Sequence, residues 1–121
     1  QVLNTVIEEK QKEDQKFFIN KTNARIDKIY YSEIKYIETF GRHTLIHTVH
    51  GVYESYITMR NHLKLLENSG FVQSYSGYIV NLNFIKSISE RAVLLRDGEK
   101  VILSQKRKTS FVKAFNTYYF C

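Results

Sequence analysis

Proline is absent from this sequence, and cysteine occurs once, as the final residue Cys121. One cysteine excludes an internal disulfide framework and fits a reducing compartment, so a cytoplasmic protein is expected. At the chain end that cysteine is also a poor candidate for a catalytic nucleophile. The five glycines form no phosphate-cradling loop, and no Gly-x-Ser-x-Gly elbow occurs. No apolar run approaches the roughly 18 residues that span a bilayer, and no signal-peptide pattern opens the chain, so no membrane partner is expected. The four histidines, His43, His47, His50 and His62, have no cysteine or carboxylate at ligand spacing. His47, His50 and His62 read as surface or half-buried strand residues, with His47 and His50 on opposite faces of one strand, and no metal is expected. Carboxylates do pair along the chain, as at Glu33 and Glu38, but nothing isolates them from water. Catalysis is not supported, and no cofactor is implied.

What is present is an ordinary globular composition, 43% hydrophobic and 25% charged over 121 residues, enough for one domain with one core. Nine tyrosines and eight phenylalanines without a single proline fit a chain of short paired strands. The net charge is +6, unevenly spread. Glu8, Glu9, Glu13 and Asp14 crowd the start, whereas Lys100, Lys106, Arg107, Lys108 and Lys113 crowd the end. A basic region in a soluble domain suggests a polyanion, nucleic acid before anionic lipid. A solvated face that aids solubility is the plainer reading, and charge alone does not separate the two.

Val2, Leu3, Val6 and Ile7 recur at helical spacing before a polar run. Residues 1–15 therefore read as a linker or the end of an upstream domain, and 16–121 as the domain itself. Because the chain begins at Gln1, a piece of a longer protein is expected. From Phe17 the texture changes to short β-type runs: "FFIN" and "ARIDKIYY" around an "NKTN" turn, then "IKYIETF" and "TLIHTV" around "GRH". A tight turn at His50-Gly51 leads into "VYESYI". Asp97-Gly98, between β-formers, predicts an antiparallel hairpin over 93–103 with a two-residue turn. Thr58 caps a predicted helix with Met59, Leu63 and Leu66 on one face, stopped by "NSG" at Gly70. Ser104 caps a second, with Phe111, Val112, Phe115 and Tyr119 as its buried stripe. The fold class is mainly β with two short helices.

Gln105-Lys106-Arg107-Lys108 follow that second cap, so three cations occupy a first turn where the macrodipole favours Asp or Glu. Each costs folding a few tenths of a kcal/mol by the same electrostatics. An anion outside the chain would explain them, since free amide groups with Lys and Arg make a phosphate site. Three solvated cations on a well-packed helix is the alternative. In "TFGRHT", Thr39 to Thr44, Gly41 allows a sharp connection carrying Arg42 and His43. These are suited to phosphates or base edges, or are ordinary polar loop residues. A third stretch, Gln73-Ser74-Tyr75-Ser76-Gly77, sets hydroxyl and amide groups directly against apolar Tyr78-Ile79-Val80. It reads as a polar segment held by a core strand, or as an edge strand whose hydroxyls bond to nearby backbone.

The order of these pieces resembles the LytTR DNA-binding domain, the output module of bacterial response regulators. The likeness covers about Lys16 to Phe115. Its strongest part is "FVQSYSGYIVNLNFIKSI", where Phe71, Val80, Asn81 and Ile85 hold family positions. Tyr75 stands where histidine is frequent, Ser76 where a basic residue or asparagine is, Gly77 where serine is usual, and Gln73 in place of arginine. The apolar frame is kept and the side chains that would read bases are not, so a base preference does not carry over.

The resemblance implies small packed antiparallel sheets in an elongated array, whose loops rather than a recognition helix enter successive major grooves. It implies double-stranded DNA with promoter repeats as partner, an upstream receiver domain in the full-length protein, and a possible homodimer on DNA. Carried over by position, His43, Gln73, Ser74, Ser76, Lys106 and Arg107 would contact DNA, with Arg42, Tyr75 and Lys108 beside them. Two rivals remain: a single-stranded nucleic-acid or RNA-binding β module that stacks bases on its tyrosines, and a protein-interaction module that pairs through an edge strand.

Overall fold

The computed structural model describes residues 16–120, so the expected linker at 1–15 and Cys121 lie outside the described residues. The strands are β1 (Phe17–Lys21), β2 (Ile26–Tyr30), β3 (Ile34–Phe40), β4 (His43–Thr48), β5 (Gly51–Ser55), β6 (Phe71–Tyr75), β7 (Tyr78–Asn81), β8 (Ile85–Ile88), β9 (Ala92–Leu95) and β10 (Lys100–Ile102). Helix α1 (Met59–Leu65) lies between β5 and β6, and α2 (Gln105–Phe120) follows β10. Every pairing is antiparallel, in three sheets: β1-β2, β10-β9-β8, and a central β5-β4-β3-β7-β6. A mainly β chain with two helices is what the sequence pattern predicts and small antiparallel sheets are what the resemblance implies, although the last helix, at 16 residues, is not short.

Strands β3 and β7 of the central sheet are covered on both faces, which is why they read as "KYIE" and "YIV" instead of alternating with polar residues. On one face Tyr36 and Val80 pack with Leu82, Ile85, Val93, Leu95, Val101, Leu103 and Phe111 of the β8–β10 sheet and α2. On the other, Ile37, Ile46 and Ile79 pack with Phe18 and Ile29 of the first hairpin and Leu66 beyond α1. A register shift between Ile34 and Tyr36 switches the phase of β3. Ile34 and Ile37, three apart, can therefore enter the same cluster.

Turns and caps follow the sequence with corrections. Thr58 caps α1, its hydroxyl accepting from the Asn61 amide at 3.2 Å. The helix ends at Leu65, and the chain reverses through Asn68 and Gly70, both at positive φ. In the β9–β10 hairpin the Gly98 amide donates to Leu95 O at 3.0 Å and the Leu95 amide to Glu99 O at 2.8 Å. Only Gly98 has positive φ there. This is a three-residue loop closing on a left-handed glycine, not the expected two-residue turn; Asp97 instead accepts from the Glu99 amide. Lys35 reaches both Asp97 (2.7 Å) and Glu99 (3.1 Å), tying this hairpin to β3.

Two burial expectations are overturned. His62, read as surface or half-buried strand, is a fully buried helix residue. Tyr119, read as part of a buried stripe, is 45% exposed, and of that helix only Phe111 is fully buried; the Tyr119 hydroxyl still donates to Leu82 O at 2.8 Å.

Candidate nucleic-acid interface

Three segments singled out in the sequence meet at one end of the central sheet. β3 and β4 are joined by Gly41-Arg42 alone, with Phe40 and His43 as the closing pair. Gly41 has φ +62°, the first-position glycine of a II′-type turn. The loop expected over Thr39–Thr44 is therefore mostly strand: Arg42 sits on the tip, exposed, and His43 begins β4. The His43 ring lies 4.5 Å from that of Tyr56, and its Nδ1 lies 3.2 Å from a Glu54 carboxylate oxygen.

Beside this turn lies the β6–β7 turn. β7 starts opposite the end of β3, with Tyr78 across from Glu38, and the Thr39 amide donates to Gly77 O at 2.9 Å. Gln73 spans its own turn, donating from Nε2 to Ser76 O at 3.2 Å. Ser76 and Tyr75 are exposed. Burial, then the Glu38 carboxylate, keeps the Tyr78 phenol above its ordinary pKa, so it stays a neutral hydrogen-bonding group. Glu38 in turn bonds to His47 Nε2, while the His47 ring stacks 4.1 Å from Tyr36.

The third element is the start of α2. Ser104 caps it as the sequence predicts, its hydroxyl accepting from the Arg107 amide at 3.1 Å. The Ser104 amide donates to Ser74 O at 2.8 Å, which fixes the helix start against the edge of β6. Arg107 Nη1 lies 3.4 Å from Gln73 Oε1, a long contact joining helix and turn through side chains. Lys106 is exposed, Arg107 and Lys108 are half-buried, and no acidic residue stands in that first turn.

Ser74 requires a correction. The register shift between Gln73 and Tyr75 turns it inward, where it is 0% exposed and its hydroxyl has no partner. A side chain with no exposed surface cannot reach DNA, so the position contributes its carbonyl to α2 and nothing outward.

A family model described as the LytTr DNA-binding domain matches residues 24–116. The chain belongs to the LytTr DNA-binding domain family. Among solved structures, the chain is similar to the LytTr DNA-binding domain from Bacillus cereus assigned to a methyl-accepting/DNA response regulator. The TM-score is 0.74 at 22% identity, covering 83% of this chain and 96% of that one. No curated protein matches.

The positions that carry the LytTr pattern are frame positions here. Val80, Asn81 and Ile85 are buried and Phe71 is half-buried. Asn81 is the polar exception: its Nδ2 donates to Ile34 O at 2.8 Å and its Oδ1 accepts from the Asn83 amide at 2.9 Å, so it pins the turn after β7 to the start of β3. The departures from the pattern, at Gln73, Tyr75, Ser76 and Gly77, fall on the end of β6 and on the turn that follows it. Sequence reasoning missed Phe40, which is 61% exposed between the turns. The signal was there, a large apolar residue directly before a turn glycine.

Proposed function

We propose that this LytTr domain binds double-stranded DNA sequence-specifically, at promoter repeats, as the non-catalytic output part of a cytoplasmic transcriptional response regulator. A receiver domain would precede it in the full-length protein, and two copies would occupy repeated half-sites. The observation that carries this reading is the convergence of Arg42 and His43, Gln73 with Ser76, and the cationic start of α2 on one end of the sheet, linked by the Thr39–Gly77 and Ser104–Ser74 backbone bonds. Backbone bonds fix the spacing between contact points, which a groove of fixed geometry requires. Lys106, on the helix start, suits a phosphate; His43, at the start of β4, and Ser76, on a turn, suit base edges.

The test is a fluorescence-anisotropy titration of the whole chain against duplexes selected from a random pool, competed with poly(dI-dC) and with a single strand of equal length. The selected duplex should win over both, with affinity falling steeply with salt. Lys106→Ala should weaken all duplexes alike and flatten the slope of log K against log salt by about one unit. If Lys106 reads guanine instead, the loss is about 1–3 kcal/mol and confined to sites bearing that base. Preference for the single strand would refute the duplex reading and favour a stacking mode built on the exposed tyrosines.

A further inference from the structure

An exposed phenylalanine is ordinary on a protein surface, but the place of Phe40 is not. It closes β3 opposite His43. On its other side the β3–β7 register runs Tyr36 to Val80, Ile37 to Ile79 and Glu38 to Tyr78, and the Thr39–Gly77 bond continues it. Beyond that bond the chain reverses at Ser76-Gly77 between β6 and β7, so exposed Ser76 lies on the turn beside the end of β3. The end of β3 and the start of β4 therefore present Phe40 and His43 side by side, about 5 Å apart, with the β6–β7 turn on the other side of β3. Cross-strand partners point to the same face, so Phe40 and His43 face the same way.

We infer that Phe40 reads the C5 methyl group of thymine, an inference that rests on the DNA-binding reading above. The ring has no polar atom, so against a phosphate or a polar base edge it gains nothing and strips water from the partner. Thymine alone places an apolar group in the major groove, and contact with that methyl is an established way of specifying it. The neighbouring carboxylates do not compete for this role. Glu38 is held by His47 and Glu54 by His43, both through side-chain bonds.

The domain's preferred duplex, recovered by selection from a random pool, is remade with uracil in place of each thymine in turn, which removes only the methyl. The wild-type chain should lose about fourfold in affinity at one position, the value of one buried methyl-sized group. Phe40→Ser should bind the thymine and uracil duplexes equally and about as weakly as wild type binds uracil. Phe40→Leu should keep most of the discrimination. At 61% exposure the ring contributes little to folding, so the thermal midpoints of all three proteins should agree. Wild-type indifference to uracil at every position overturns the inference, as does a Phe40→Ser protein that keeps the wild-type thymine preference. In both cases duplex binding itself survives. A chain that binds no duplex brings down the DNA-binding reading and this one with it, a result plainly different from the other two.

Discussion

Acid should destabilise this domain through one buried histidine. His62 is 0% exposed on α1, its Nε2 2.9 Å from Thr44 Oγ1, with the Phe18 ring edge-on at 6.0 Å. Thr44 Oγ1 lies 3.0 Å from Ile57 O and gives its single hydrogen there, so Nε2 carries the ring hydrogen and donates to Thr44. Nδ1 has no partner. A proton added to it would create a buried donor with nothing to accept from it. Burial accordingly lowers the His62 pKa from 6.5 to about 4. The unfolded chain binds this proton below pH 6.5 and the folded chain does not until about pH 4, so stability is complete above 6.5 and falls across that window. At about 1.4 kcal/mol per pH unit the loss reaches roughly 3 kcal/mol, a large share of the 5–15 kcal/mol typical of a domain's stability. The measurement is urea unfolding of wild type and His62→Gln at successive pH values from about 7 down to about 4.5. Glutamine keeps a donor for Thr44 and does not titrate. The wild-type curve should drop more steeply below pH 6.5, and subtracting the variant cancels the other titrating groups. An NMR titration of the folded wild type should show the His62 ring unchanged through pH 6. Parallel pH profiles for the two proteins, or a ring that titrates near 6.5 in the folded state, would refute the reasoning. The consequence reaches the candidate interface, because Thr44 adjoins His43 on β4.

Asn81→Ala removes two hydrogen bonds and leaves the buried Ile34 carbonyl without its partner, so urea denaturation should show a loss of about 2–4 kcal/mol. DNA affinity of the fraction that remains folded should be unchanged. Ser76→Arg places a cation at an exposed turn position. It should tighten non-specific duplex binding and add a guanine preference at one base pair, measured by anisotropy and by reselection, with stability altered by no more than about 0.5 kcal/mol. A large fall in thermal midpoint with unchanged DNA affinity would mean that position 76 serves packing and not contact.

Local chemistry alone dictated much of this protein. Thr58 and Ser104 cap helices because a hydroxyl next to free amides has few better partners. Gly41 and Gly98 make turns because they tolerate positive φ. The apolar frame around Ile79 and Val80 was legible because a strand buried on both faces has a composition of its own. Long-range pairing decided the rest. Whether Ser74 faces out depends on a register shift on β6, and nothing in "VQSYSG" fixes where the partner strand slips. His62 is buried because α1 closes over Thr44, eighteen residues away in sequence, and a polar ring on a short helix does not announce such a seat. Tyr119 is left exposed although its helical spacing matches Phe111, because periodicity names a face and not how closely each residue on it is covered. Phe40 gained its place between His43 and the β6–β7 turn only when β3, β4 and β7 paired, since neighbours across a sheet are set by register and not by distance along the chain.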